Sequence, residues 1–474
     1  MLQSQALEIL SSGASVYLTG APGAGKTYVL NEFIQQARKK GKTVAVTAST
    51  GIASTHINGQ TIHSYSGVGV FTYLNEQRMK NILMRRKKAL VKTDILVIDE
   101  VSMIHAWLFD LVDEICRRAR KNNLPFGGMQ VVLSGDFFQL PPVSVSSRNS
   151  DLLGLSEETL RMHARYAAQG KNMEGFITES FAWEALQPIA CYLTEQHRQD
   201  DGQLLSVLTS IRHGEVSQND FNVIASRMGV QPNNTEVVTH LFPTNAQADA
   251  LNRKRLALID NVEHNFEASA VGNKQLVERL KKSMLAPENL VLKVGASVMA
   301  VRNDTDKQFV NGSLGRVVSF TAENKGGWPI VEFDNGNTVT MEPQRWEITD
   351  ADVVLAAVTQ VPLRCAWGIT IHKSQGMTLD RAVMDLSRTF ASGMGYVAMS
   401  RVQGLEGLYL TGLNEKAFLV SPLAVSLDGQ LRIESATTAR ILEKDGLPSV
   451  LEAVQLQEMG ADGVDDEFAQ GALF

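Results

Sequence analysis

Short apolar runs, each closed by a polar or glycine-rich loop and followed by a helical repeat, dominate the N-terminal third of the chain. Val16-Tyr17-Leu18 leads into a glycine-rich stretch, after which Val29, Leu30, Phe33 and Ile34 recur at helical spacing. Thr43-Val44-Ala45-Val46-Thr47, Ile95-Leu96-Val97-Ile98 and Gln130-Val131-Val132-Leu133 repeat the apolar half of the pattern. Continuous rather than alternating apolar runs predict strands buried on both faces, the habit of parallel sheets flanked by helices. Gln3 to Leu10 reads as a short amphipathic helix. From Asp110 to Lys121, Leu111, Val112 and Ile115 fall on one helical face, and Arg117, Arg118, Arg120 and Lys121 on the other.

A second α/β unit is predicted from about Phe181, with Leu241-Phe242-Pro243-Thr244-Asn245 as strand and loop. The texture changes to short strands from Lys293 to about Asp350. There Asn335-Gly336, between Val331-Glu332-Phe333 and Thr338-Val339-Thr340-Met341, predicts a tight hairpin. The expected organisation is a first domain over 1–180, with a short insertion at 66–92 and a polar, partly helical insertion or linker at 143–180, Ser156 capping its helix. A second covers 181–292 and 358–425, interrupted by an all-β module at 293–357. The remainder, 426–474, is an extension expected to be flexible from about 451.

Composition changes this picture little. The chain is too long for a single core. It has no apolar run near the ~20 residues of a membrane span and no signal-peptide pattern. Cys116, Cys191 and Cys365 lie far apart without a CxxC, which points to a reducing, cytoplasmic setting rather than a disulfide frame or structural zinc. The net charge of −6 is matched by six acidic residues after Leu451, leaving a body near neutrality in which local basic patches can dominate. One such run spans 78–92, with Arg78, Lys80, Arg85, Arg86, Lys87, Lys88 and Lys92, and reads as a solvated face or as a surface for phosphate.

The candidate chemistry lies in the loops that close the apolar runs. Gly20-Ala21-Pro22-Gly23-Ala24-Gly25-Lys26-Thr27 stands between a strand and a helix, the context of a phosphate-binding loop. Its backbone would cradle phosphates, Lys26 would reach the β- and γ-phosphates, and Thr27 would offer a hydroxyl to Mg²⁺. Asp99 and Glu100 end a buried strand, where paired carboxylates are costly unless a cation or ligand uses them. Asp99 would serve the Mg²⁺ shell and Glu100 the attacking water. Gln139, in Gly135-Asp136-Phe137-Phe138-Gln139, can sense a γ-phosphate by hydrogen bond. Gln3 or Gln5 could read an adenine edge or lie on a solvated helix face. Arg198 and Arg401 are candidates for charge-stabilising fingers. Thr50-Gly51, Thr61-Ile62-His63-Ser64 and Ile369-Thr370-Ile371-His372-Lys373-Ser374-Gln375-Gly376 supply small, hydroxyl and basic groups suited to a sugar-phosphate backbone or to ordinary turns.

The ordered set resembles the Pif-type branch of superfamily 1B DNA helicases, over about residues 3–413. The resemblance rests on the DEVSM box at 99–103, GDFFQLPP at 135–142, HKSQGMTLD at 372–380 and YVAMSR at 396–401, and on a signature helix and loop ending in NNLPFGGMQ. It implies an α/β fold of two RecA-like P-loop domains, with a small SH3-like β insertion in the second (293–357) and a short wedge insertion in the first (66–92). By position it makes Gln3, Gly20, Pro22, Gly23, Ala24, Gly25, Lys26, Thr27, Asp99, Glu100, Gln139, Arg198, Gln375, Gly376 and Arg401 the ATP site. Gln3 becomes the adenine reader, and Thr27 and Asp99 the Mg²⁺ ligands. Thr50, Gly51, His63, Pro243, Thr244, Asn245, His372, Lys373 and Ser374 would follow single-stranded DNA.

The implied activity is ATP- and Mg²⁺-dependent translocation 5′→3′ on single-stranded DNA with unwinding of duplex at junctions. The implied setting is a monomer on DNA, nucleoid-associated, of bacterial or phage-encoded type. A phosphate-loop ATPase that remodels or loads protein partners without strand separation is the alternative. A DNA-binding subunit with a dead site is disfavoured by the complete catalytic set, and RNA as the tracked strand stays open. Gln470-Gly471-Ala472-Leu473-Phe474 is similar to short peptides that dock bacterial sliding clamps.

Overall fold

The computed structural model describes residues 1–49, 59–69, 72–142, 157–195, 202–232, 238–302, 304, 308–309, 311–350, 353–375, 377 and 379–465. It divides into two compact units. The first comprises Met1–Asp200, Ser206–Ser217 and Phe418–Phe474, and the second Asp201–Leu205 and Gln218–Ala417.

In the first unit, strands β1 (Val16–Gly20), β2 (Val44–Ala48), β3 (Gln60–Thr61), β4 (Ile95–Asp99), β5 (Gln130–Ser134) and β6 (Ile189–Leu193) form one sheet in the order β3-β2-β4-β5-β1-β6. Every pairing is parallel. The apolar runs predicted this for β1, β2, β4 and β5, whereas β6 was expected in a second unit starting near Phe181 and instead pairs with β1, both strands buried along their whole length. Helices Gln3–Ser11 and Lys26–Lys39 close one side of the core through Ala6, Ile9, Leu10, Val29, Leu30 and Phe33. Because the strands run parallel, their C-terminal ends share one edge, which carries Gly20, Ala48, Asp99, Ser134 and Leu193.

The stretch 143–180 holds the helix that its polar, partly helical pattern predicts, Glu157–Ala168. Its residues 143–156, Ser156 among them, lie outside the described set. Met173, Phe176 and Ile177 are buried, and the Met173 and Gly175 carbonyls accept from the Trp107 and Ala106 amides. The chain beyond 426, expected as an extension flexible only from about 451, packs against this unit. A helical run spans Pro422–Asp465, interrupted at Gly446 (φ 77°, ψ 176°) just before Pro448, and its Leu442 and Val450 join the first unit's core. The stretch expected to be flexible from about 451 is thus helical through Asp465.

The second unit holds a parallel sheet of β7 (Thr239–Phe242), β18 (Gly368–Thr370), β19 (Ala382–Leu386) and β20 (Leu408–Leu413), in the order β18-β7-β19-β20. Between β7 and β18 come β8 (His264–Glu267), β9 (Ser269–Gly272), β10 (Asn289–Leu292), β11 (Ser297–Ala300), β12 (Leu314–Phe320), β13 (Pro329–Phe333), β14 (Thr338–Thr340), β15 (Gln344–Asp350), β16 (Val353–Gln360) and β17 (Leu363–Cys365). A five-stranded antiparallel sheet, β14-β13-β12-β11-β17, surrounds Val298, Val317, Val331 and Phe333. The Asn335-Gly336 turn joins β13 and β14 as predicted, with Gly336 at φ 86°. The strand-rich texture begins at His264 rather than Lys293: β8 is short, polar and alternately half-buried and exposed, and β9 is four exposed residues, so neither gives an apolar run.

Candidate nucleotide site and nucleic-acid interface

The phosphate loop opens a helix that starts at Lys26, with Gly25 in the left-handed region (φ 83°) as its N-cap. Only glycine holds that conformation cheaply, and the turn aims the loop across the N-terminus of a 14-residue helix. Lys26 is half-buried, and its ammonium donates to the Gly20 carbonyl at 2.7 Å and the Ala21 carbonyl at 3.2 Å. Burial lowers its pKa, while the charges of Asp136, Glu100 and Asp99 oppose that shift. The lysine is therefore folded against its own loop, where the Arg212 cation adds to the downward shift that the three carboxylates oppose. Ala24 is fully buried beneath the loop, and Gln3 donates from its side chain to the Ala24 carbonyl at 3.2 Å. Gln3 thus borders the loop; Gln5 instead bonds Glu443, away from it.

Asp99 and Glu100 leave β4 half-buried. The Asp99 carboxylate accepts from the Glu100 amide at 2.9 Å, and Glu100 sits at φ 52°, ψ 47°. A non-glycine residue there costs roughly 1–2 kcal/mol, and such strain gathers at functional positions. Gly135, after β5, lies so close to this turn that a Cβ would stand 3.0 Å from the Val101 nitrogen. The loop it begins carries Gln139, whose amide donates to the Asp136 carbonyl at 2.9 Å. Gln139 is 7% exposed and its buried Oε1 has no hydrogen-bond partner among the described residues, the state expected of a group that waits for a ligand. Thr27, at the first helical turn, is exposed. Its hydroxyl and the Asp99 carboxylate are hard oxygen donors, a set that suits Mg²⁺ sharing its shell with water and phosphate. No group of three or more ionisable ligands that could hold a metal occurs among the described residues.

The nucleotide loop is braced by residues that sequence reading did not single out. Arg212, 2% exposed, donates to Asp136 at 2.7 Å and to Asp428 and the Tyr192 hydroxyl at 2.9 Å each. Its guanidinium lies 4.3 Å from the Phe138 ring centroid. Asp136 and Phe138 belong to the Gln139 loop, Tyr192 to β6, and Asp428 to the C-terminal helix. Arg212 stands at i+4 from Leu208 on the buried stripe of helix Gln203–His213, with Leu204, Val207 and Ile211. A charged residue on an apolar stripe was the signal that could have found it.

In the second unit, β7 and β18 are parallel neighbours with Phe242 opposite Thr370. The loops that follow them, 243–245 and 371–375, therefore leave from the same sheet edge. Lys373 donates to the Asn245 side chain at 3.0 Å. Burial, aided by the Arg364 charge, pulls the Lys373 pKa down to about 8. Pro243 is buried, and Thr244 donates to Gln247 at 2.9 Å. Ser374 is fully buried with its hydroxyl on the Ile371 carbonyl, so in this structure it shapes the loop. His372 is half-buried and Gln375 is 4% exposed. Arg401 is 6% exposed and donates to the Val397 and Met377 carbonyls and the Ser400 hydroxyl, which ties 396–401 to 372–380. In the first unit, burial and the nearby His105 lower the pKa of half-buried His63. Thr50, Gly51, Arg198, Gly376 and the segment 470–474 lie outside the described residues.

Comparison with known proteins fits this assembly. Residues 4–162 match the model of the PIF1-like helicase family, and residues 275–320 match the model of the DNA helicase Pif1 2B domain. The chain is 38% identical to the ATP-dependent DNA helicase Pif1 of Psychrobacter sp. (strain PRwf-1), over 91% of this chain and 71% of the relative. Pif1 helicase from Candida albicans superposes with a TM-score of 0.79 at 32% identity, over 90% of this chain and 98% of that one. Pif1 helicase from Bacteroides in complex with ADP-AlF3 and single-stranded DNA gives a TM-score of 0.72 at 26% identity, over 92% and 98%. The two parallel sheets, the motif order and these similarities agree, and the chain belongs to the Pif1 helicase family.

Proposed function

We propose that this chain is an ATP-dependent DNA helicase that translocates 5′→3′ on single-stranded DNA and separates duplex at single-strand/double-strand junctions. One observation carries the reading. A phosphate loop with Lys26, the Asp99–Glu100 pair and a buried Gln139 whose Oε1 has no partner among the described residues stand on one sheet edge of the first unit. A basic, amide-rich loop pair stands on the corresponding edge of the second.

Lys26 leaves the Gly20 and Ala21 carbonyls to meet phosphate, and Glu100 orients and deprotonates the attacking water. Gln139 reads the γ-phosphate, and its loop passes that state to the buried network behind it. Arg198 and Arg401 stabilise charge developing in the transition state. Gln3 reads the base, and Gln375 and Gly376 complete the nucleotide site. Mg²⁺, held by Thr27 and Asp99, supplies charge neutralisation on the phosphates. Thr50, Gly51, His63, Pro243, Thr244, Asn245, His372 and Lys373 line the path of the strand, and the buried Ser374 holds the loop that carries His372 and Lys373. His63, with its lowered pKa, contributes there as a neutral hydrogen-bonding group.

Single-stranded DNA should stimulate ATP hydrolysis, and Lys26→Ala or Glu100→Gln should lower the stimulated rate by at least ~100-fold. Hydrolysis indifferent to DNA in the parent would favour the alternative, an ATPase that remodels or loads protein partners.

The protein acts as a monomer on DNA, which sedimentation with a short oligonucleotide would check. Its setting is cytoplasmic and nucleoid-associated, supported by three free thiols, two of them buried. The segment 470–474 offers an apolar Leu-Phe pair after an acidic stretch, a form suited to a pocket on a sliding clamp. Clamp pull-down by the parent, but not by a chain lacking the last five residues, is the expected result; equal capture by both would end that reading.

A further inference from the structure

Beside the 371–375 loop, in the second unit, lies a cavity of about 670 Å³ with Arg364, Lys373, Arg253 and Asn245 on its polar side. Its apolar wall includes Met284, Ala286 and Leu290, each at least nine-tenths buried. The walls are fixed. Asn252, also in the lining, bonds the Cys365 and Gly368 carbonyls and the Gly368 amide, which locks helix Asn245–Ala257 to β17 and β18. Gln360 donates to the Pro287 and Glu288 carbonyls and holds the opposite segment.

The charge in this cavity is unbalanced. Arg253, Arg364 and Lys373 face a single carboxylate, Asp249. Arg364 has a side chain only 11% exposed and meets Asp249 at 3.3 Å through one terminal nitrogen. Its Nε is buried with no hydrogen-bond partner among the described residues. A guanidinium presents a fork of donors, and among the described residues one edge has no acceptor here, beside a lysine whose hydrogen-bond partner is an amide oxygen, Asn245 Oδ1. Two neighbouring cations, one of them a guanidinium with an orphaned buried donor, are costly unless an anion with several acceptor oxygens enters.

We infer that Arg364 is a phosphate-binding residue of the DNA path: with Lys373 it takes one phosphodiester of the tracked strand, and Asp249 is the internal anion that this phosphate replaces. The inference rests on the reading that Lys373 faces single-stranded DNA. Arg364 lies on β17 within an otherwise apolar run, Val361-Pro362-Leu363, where sequence alone reads it as a strand residue.

The test is fluorescence anisotropy of a labelled oligo-dT strand titrated with the full chain at several salt concentrations, without nucleotide. Loss of one phosphate contact on a single strand should lower the log-log salt slope by about 0.7. Arg364→Gln should show that change and bind roughly 3- to 10-fold more weakly at ~0.1 M salt. Asp249→Asn, which removes the competing anion, should bind more tightly than the parent. Adding inorganic phosphate at millimolar level should not erase these differences; if it does, the pocket takes free phosphate rather than the strand and the inference falls. Parent slope and affinity in a folded Arg364→Gln protein would also overturn it. If that variant does not fold, Asp249→Asn decides, and affinity at or below the parent's overturns the inference. Failure of the parent itself to bind oligo-dT would instead refute the function proposed above.

Discussion

Lys373 shows how much a single side chain's setting can govern. Desolvation, with Arg364 adding repulsion and Asp249 partly offsetting it, puts its pKa at about 8. A bound phosphate favours the ammonium form, so the pKa in the DNA complex must lie above that of the free protein. Affinity for single-stranded DNA should then be level below pH 8 and weaken as pH rises through 8 to 9. Lys373→Arg, whose guanidinium stays charged, should flatten that decline. Anisotropy titrations between pH 7 and 9 check it, and a parent profile already flat over that range contradicts the assignment. Residues of this kind were legible to different degrees. Lys26, Asp99, Glu100 and Gln139 could be read from sequence because their chemistry demands those side chains at fixed distances from a strand end. Arg212 and Arg364 could not, since an arginine on a helix or strand reads as surface until burial is known.

At the scale of elements, the Gln139 loop is bolted to three others by one guanidinium. Arg212 satisfies Asp136 from the loop and Asp428 from the C-terminal helix, and Arg432 bonds the second oxygen of Asp428 at 2.5 Å. Ser435 of the same helix accepts from the Tyr192 amide at 2.9 Å. The C-terminal helix is thus part of the nucleotide-binding unit, whereas its acidic end had suggested a loose tail. Replacing Arg212 with Met would leave two carboxylates nearly buried without their shared partner. Breaking a buried pair costs about 3–5 kcal/mol, so Arg212→Met should shift chemical denaturation of the first unit by that order. A shift below ~1 kcal/mol would show that the network does not hold the loop. In the stripe of Ala424, Asp428, Leu431 and Ser435, all buried, two of the four residues are polar, which is why hydropathy undersold this part of the helix.

At the scale of the whole molecule, the first unit's parallel sheet was legible because its largely buried strands leave near-continuous apolar runs, whereas in the second β7 is mostly half-buried and the three-residue β18 reads as part of a polar loop. The limits of the β module were not, because β8 and β9 expose one or both faces and take their order from pairing with distant strands β10 and β16. Each unit presents its functional loops at the C-terminal ends of its parallel strands, where such sheets bind ligands. The proposed motor must couple the phosphate loop of one unit to the loops at 243–245 and 371–375 of the other. That coupling is what distinguishes a helicase from an ATPase that happens to bind DNA. The most direct measurement is ATP- and Mg²⁺-dependent unwinding of two duplexes that differ only in carrying a 5′ or a 3′ single-stranded overhang, with Lys26→Ala as control. The parent should unwind the 5′-overhang duplex and not the 3′, and Lys26→Ala should unwind neither. Unwinding by Lys26→Ala, or a parent that hydrolyses ATP on the 5′-overhang substrate without separating it, would contradict the account.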